Sequence, residues 1–86
     1  MYKYEIHPQL DKKLKKLSKK DKKQLEAVLK KIEEIIKGNV EQYKNLKKPL
    51  QEYKRVHIYS SFVLLFKVKG EKIVFADYQH HDKVYK

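Results

Sequence analysis

The chain has no cysteine and, among its 86 residues, only two glycines, two prolines and 11 acidic side chains. Each shortage excludes something. Without cysteine there is neither a disulfide framework nor a thiolate metal site, which suits a reducing cytoplasm and leaves an apolar core to hold the fold. No apolar run approaches the roughly 18 residues that span a bilayer, and the opening "MYKYEIHP" lacks the charged-then-apolar layout of a signal peptide. A soluble, cytoplasmic protein with no membrane partner is expected. The length allows one domain, residues 1–86, near the lower size at which a single core suffices.

The shortage of acids is the most informative. Against 22 Lys plus Arg they leave a net charge of +11. Such an excess favours a polyanionic partner, either nucleic acid or an acidic protein. Lysine-rich surfaces of thermophilic proteins usually carry matching glutamate in ion-pair networks. Here the acids do not keep pace.

What is present is a clear change of period along the chain. Tyr2, Tyr4 and Ile6 alternate with Lys3 and Glu5, the period of a half-buried strand that Pro8 ends. Leu10, Leu14 and Leu17 then recur at helical spacing, with Pro8 tolerated in the first turn. "SKKD" at residues 18–21 predicts the start of a second helix, with Ser18 as cap and Asp21 complementing the dipole. Leu25, Val28, Leu29, Ile32, Ile35 and Ile36 form its apolar stripe, and Gly38-Asn39 is expected to supply a left-handed stop.

"VEQYKNLKKPLQ" is polar, contains Pro49 and reads as a connecting loop with at most one helical turn. In "YKRVHIY", Val56 and Ile58 take one face and Tyr53, Arg55, His57 and Tyr59 the other. "SSFVLLFKV" is apolar on both faces and reads as a central strand, and Lys69-Gly70 is a hairpin turn into "KIVFADY". The fold class is therefore α+β: an N-terminal strand, a two-helix hairpin, then a three-stranded antiparallel meander completing one sheet. Helices cover only one sheet face, so apolar side chains of "FVLLF" on the other need a cover from a partner or the C-terminus, unless all of them are core.

Two of the four histidines stand together in "YQHHDKVYK". As a metal site the pair is poorly spaced, because neighbours in an extended segment point to opposite faces. Acid–base chemistry is the alternative, since an imidazole titrates near ~6.5 and exchanges protons at neutral pH. Two imidazoles beside cations and a phenol are a sensible kit for cleaving RNA; solvated histidines are the plain alternative. The run "DKKLKKLSKKDKK" holds eight lysines. It either tracks phosphates or forms the wet side of a helical hairpin. Lys47, Lys48, Lys54 and Arg55 are fewer but nearer the histidine-bearing strand.

The order of elements, with residues 49–75 ("PLQEYKRVHIYSSFVLLFKVKGEKIVF") and the ending "HHDKVYK", resembles the RelE/ParE superfamily of small toxins, most of all its YafQ branch. The resemblance covers nearly the whole length. It implies the RelE-like microbial RNase fold and a ribosome-dependent, metal-independent mRNA endonuclease without a cofactor. It also implies partners: the ribosome, its mRNA, and a separate acidic antitoxin that holds the toxin inactive. By the same resemblance His81 is the principal catalytic histidine, His57 the strand histidine of that site and Tyr85 its C-terminal aromatic. Lys48, with Lys47 beside it, Lys54 and Arg55 match basic RNA- or phosphate-binding positions. Two positions depart from the pattern: Ser61 stands where YafQ-like chains carry Asp, and Val63 where RelE-like chains carry Arg. These remove one partner for an imidazole and one phosphate clamp. The competing classes are a ParE-like toxin directed at DNA gyrase, which has no use for the histidines, and a basic nucleic-acid-binding module.

Overall fold

The computed structural model describes residues 2–84, the last two by main chain alone. A short strand β1 (Lys3–Ile6) leads into helix α1 (Pro8–Lys20) and helix α2 (Lys22–Lys37). A loop containing one 3-10 turn (Val40–Gln42) reaches β2 (Lys54–Ile58), β3 (Phe62–Lys69) and β4 (Lys72–His80), and the chain then enters a four-residue helix α3 (His81–Val84). The sheet order is β1-β4-β3-β2, with β1 parallel to β4 and the other pairs antiparallel. No described helix is long and apolar enough to cross a membrane.

Both helices turn their stripes onto one sheet face. Leu10, Leu14, Val28, Ile32, Ile35 and Ile36 meet Ile58, Leu64, Phe66, Ile73, Phe75 and Tyr78 there. Phe62 packs against the same core, so Phe62, Leu64 and Phe66 all point to the helices. Val63 and Leu65 point the other way and are nonetheless buried. Among the described residues Leu46 and the ring of Tyr53 cover them, so the loop before β2 supplies a cover for this face. Leu29, expected in the α2 stripe, is 47 % exposed at its margin.

The helix boundaries differ from the expectation in two places. Ser18 does not cap α2; it lies within α1, where its hydroxyl donates to the Lys15 carbonyl. Asp21 is the cap, accepting from the Gln24 amide at 3.0 Å. The reason is packing: Leu17 packs against the core, so the helix that carries it runs on to Lys20. His7 caps α1, its Nδ1 accepting from the Gln9 amide. Nor does Gly38 adopt a left-handed conformation, having φ −99° and ψ −162°. Glycine is needed there for close approach, since a Cβ would lie 2.9 Å from the Glu34 carbonyl oxygen. Gly70 is the glycine with positive φ, +60°, at the start of the two-residue turn between β3 and β4.

Both edges of the sheet are guarded. Along β2, the Leu46 amide donates to Tyr53 O and the Arg55 amide to Lys44 O, so the loop pairs with the strand. On the other side β1 pairs only with residues 72–75 of β4. Beyond it, the Gln9 side-chain amide and the Lys13 ammonium take over, donating to Ala76 O and Tyr78 O. Exposed strand edges invite pairing with other chains, and these side chains blunt one of them.

Candidate active site

The second sheet face carries the polar residues that the helices leave uncovered. Register places them in rows. Arg55, Leu65 and Asp77 stand side by side across β2, β3 and β4, and His57, Val63 and Gln79 form the next row. The period of two in β4 continues from Asp77 and Gln79 to His81, at the strand end.

His81 is fixed by its backbone, whose N–H donates to Ser61 O at 2.7 Å. That bond ties the end of β4 to the three-residue turn between β2 and β3. The His81 ring then lies 5.5 Å from the His57 ring, centroid to centroid, at an interplanar angle of 30°. His57 is exposed and His81 half-buried. The Asp82 carboxylate is 3.8 Å from His81 Nδ1. His80 separates from its neighbour, packing edge-on against Phe62 at 5.4 Å and accepting the Asp82 amide on Nδ1. One histidine of the pair thus joins His57 and the other braces the strand end.

The basic residues divide. Arg55 is half-buried and shares the histidine face, one row from His57. Lys47 and Lys48 are exposed in the turn around the cis Lys48–Pro49 peptide. Their loop crosses the same face, because Leu46 sits on Val63 and Leu65. Lys54 is not brought to the histidines: alternation sends it to the face of Val56 and Ile58, and its ammonium donates to Tyr43 O and Asn45 Oδ1, both at 3.1 Å. Tyr85 lies outside the described residues.

Two polar residues of this face, Asp77 and Gln79, are not marked by any motif in the sequence. Asp77 is only 6 % exposed. Its Oδ1 accepts from Lys13 Nζ at 2.7 Å and from the Tyr78 amide at 2.8 Å, and its Oδ2 accepts from the Gln79 side chain. Burial pushes the Asp77 carboxyl up, but the hydrogen bonds from Lys13, Gln79 and Tyr78, with the lysine charge, outweigh it and hold the group below the usual carboxylate range. Counting back by twos from His81 finds both residues. Among the described residues no three His, Cys, Asp or Glu side chains are grouped to hold a metal ion. What the face offers is a pair of adjacent imidazoles, proton donors or acceptors, bordered by cations.

No family model matches the chain. A relative in Methanocaldococcus jannaschii, named "Putative toxin RelE4", is 56 % identical over 88 aligned positions, spanning 100 % of this chain and 93 % of the relative. Among solved structures, YafQ from Escherichia coli BL21(DE3) superposes with a TM-score of 0.71 at 16 % identity, covering 100 % of both chains. A YoeB–YefM complex from Staphylococcus aureus gives 0.77 at 19 % identity, covering 94 % of this chain and 98 % of that one. The solved structures share the fold, and the archaeal relative shares more than half of the sequence over that fold; the chain belongs to the RelE/ParE superfamily of toxins.

Proposed function

We propose that this protein is the toxin of a type II toxin–antitoxin pair and that it inhibits translation by cutting mRNA on the ribosome. The observation that carries the reading is the approach of His57 and His81 to 5.5 Å on the face the helices leave open. One imidazole takes the proton of a ribose 2′-hydroxyl, and the 2′-oxygen attacks the adjacent phosphorus. The P–O2′ bond forms as the P–O5′ bond breaks, and the other imidazole, protonated, gives its proton to the leaving 5′-oxygen. The products are a 2′,3′-cyclic phosphate and a 5′-hydroxyl, so neither water, a metal ion nor a redox partner enters the balance. Arg55, Lys47 and Lys48 neutralise charge on the phosphorane, and Tyr85 is the aromatic that the family resemblance adds to the site. Lys54 serves by holding the loop that carries Lys47 and Lys48.

The partner that restrains such a toxin is an acidic chain, in keeping with a net charge of +11 here. The S. aureus neighbour was solved as a complex of YoeB with YefM. The test is translation in a cell-free extract from Methanocaldococcus jannaschii, with mRNA 5′ ends mapped after adding wild type, His57→Ala or His81→Ala. Loss of one general acid or base lowers cleavage by about 10²–10⁴-fold. A His81→Ala variant as inhibitory as wild type sinks the mechanism. Intact mRNA with blocked DNA supercoiling replaces it with a gyrase-directed toxin.

A further inference from the structure

We infer that Gln79 contacts a base beside the scissile phosphate, presenting its side-chain carbonyl as a fixed acceptor for an N–H edge. The inference rests on the cleavage reading above and adds what reads the RNA there.

Gln79 stands in the same row as His57, with fully buried Val63 between them, and two residues before His81 on the same face. Two strand spacings of about 4.8 Å separate its strand from that of His57, so a base flanking the phosphate reaches it. The orientation of its amide is set from below. Nε2 donates to Asp77 Oδ2. Asp77 is itself immobilised by Lys13 and by the Tyr78 amide at its other oxygen. A carboxylate only accepts, so turning the amide over would press two oxygens together. The oxygen of Gln79 is therefore the end that faces away from Asp77.

That oxygen is unused by the fold. It accepts no hydrogen bond from any described residue, and no buried side-chain oxygen or nitrogen among those residues lacks a partner, so it must reach the surface. A purely structural glutamine serving Asp77 needs only its nitrogen. An outward carbonyl pairs with the amino groups of adenine, cytosine or guanine, whereas uracil offers only its N3–H, flanked by two carbonyl oxygens that repel the glutamine oxygen.

The test uses the full chain on ribosomes programmed with mRNAs that differ at one base beside the cut, reading cleavage rate per sequence. Wild type is expected to favour amino-bearing bases over uracil at one position. Gln79→Leu loses about five- to tenfold of that preference, the worth of one hydrogen bond. Asp77→Asn makes the sharper case. Its Oδ1 still accepts from Lys13 and the Tyr78 amide, but its Nδ2 now faces Gln79, so the glutamine amide turns over and offers N–H outward. The preference then shifts toward bases with carbonyl edges, uracil above all. Should Gln79→Leu fail to fold, the direction of the shift in Asp77→Asn decides. Wild type that cleaves in a His81-dependent way, with a base profile identical in either folded variant, overturns the inference alone; wild type that does not cleave overturns the cleavage reading and this inference with it.

Discussion

Replacing Lys13 by methionine keeps an unbranched stem and removes the cation that faces the buried Asp77. The ammonium lies 2.7 Å from the carboxylate oxygen. At that separation the attraction is about 6 kcal/mol for an effective dielectric of ~20 and about 1.5 kcal/mol in water. The Lys13 side chain is 42 % exposed and that of Asp77 9 %, so the cation is partly screened while the anion is not. Desolvation and side-chain ordering take back part of the gross figure. Lys13→Met also leaves Tyr78 O, on the open edge of β4, without its donor. The expected net loss is about 1–3 kcal/mol at pH 7, or roughly 4–8 °C in Tm per kcal/mol for a domain of this size. Urea denaturation of both proteins measures it, with equal slopes required for the comparison. The sign with pH follows from Asp77. Its folded carboxyl lies below the ordinary value, so its contribution is present above the unfolded pKa of ~3.9 and is lost as pH falls through the lower folded one. The gap between wild type and Lys13→Met is therefore flat from neutral pH down to about 5 and closes below about 4. A gap under about 0.5 kcal/mol at pH 7, the range of ordinary surface substitutions, or one that persists unchanged to pH 3, refutes the reasoning.

Two further substitutions test the fold around the site. Leu46→Ala strips the cover from Val63 and Leu65 and should cost about 2–4 kcal/mol in urea denaturation; a loss under about 1 kcal/mol means the loop does not seal that face. Gly70→Ala adds a Cβ that meets nothing within 4 Å, so its whole cost is the left-handed backbone at φ +60°, about 1 kcal/mol by thermal unfolding; no measurable change means the turn relaxes to another conformation.

Periodicity sorts most side chains to their faces because burial on one side enforces it. Leu14, Val28 and Ile32 are legible as helix stripe, and Val56 and Ile58 as one face of β2, from spacing alone. The cover over Val63 and Leu65 is not. Leu46 lies inside a polar connector and carries no period, so nothing local marks it as core, and alternation gives Tyr53 its face without showing that its ring packs on Val63 and Leu65. The α2 cap is hidden for a related reason. "SKKD" contains two good capping residues, and the choice of Asp21 over Ser18 depends on where Leu17 must pack. The burial of Asp77 is masked by an irregularity in the sheet: the register passes from Leu65↔Asp77 to Phe66↔Phe75, skipping Ala76. A β-bulge of this kind bends the strand and lets Lys13 reach Asp77 from the helical side.

The candidate site divides in the same way between what period decides and what only contact decides. Alternation sends His80 and His81 to opposite faces, because neighbours in a strand point apart, but the bulge at Ala76 decides which: strict alternation from Ile73 and Phe75 would put His81 on the helical side, away from His57. Nor does alternation bring His81 to His57, which stands on a strand two positions away in the sheet. Their approach depends on the chain leaving β4 at His80 and on one backbone bond, from the His81 N–H to Ser61 O. Ser61 offers no carboxylate side chain, but the backbone bond to His81 uses none. The main chain of Ser61 still positions the histidine, and Asp82, 3.8 Å from His81 Nδ1, supplies a carboxylate from the other side. The imidazole pair is therefore assembled through the main chain of Ser61, with a nearby carboxylate coming from α3.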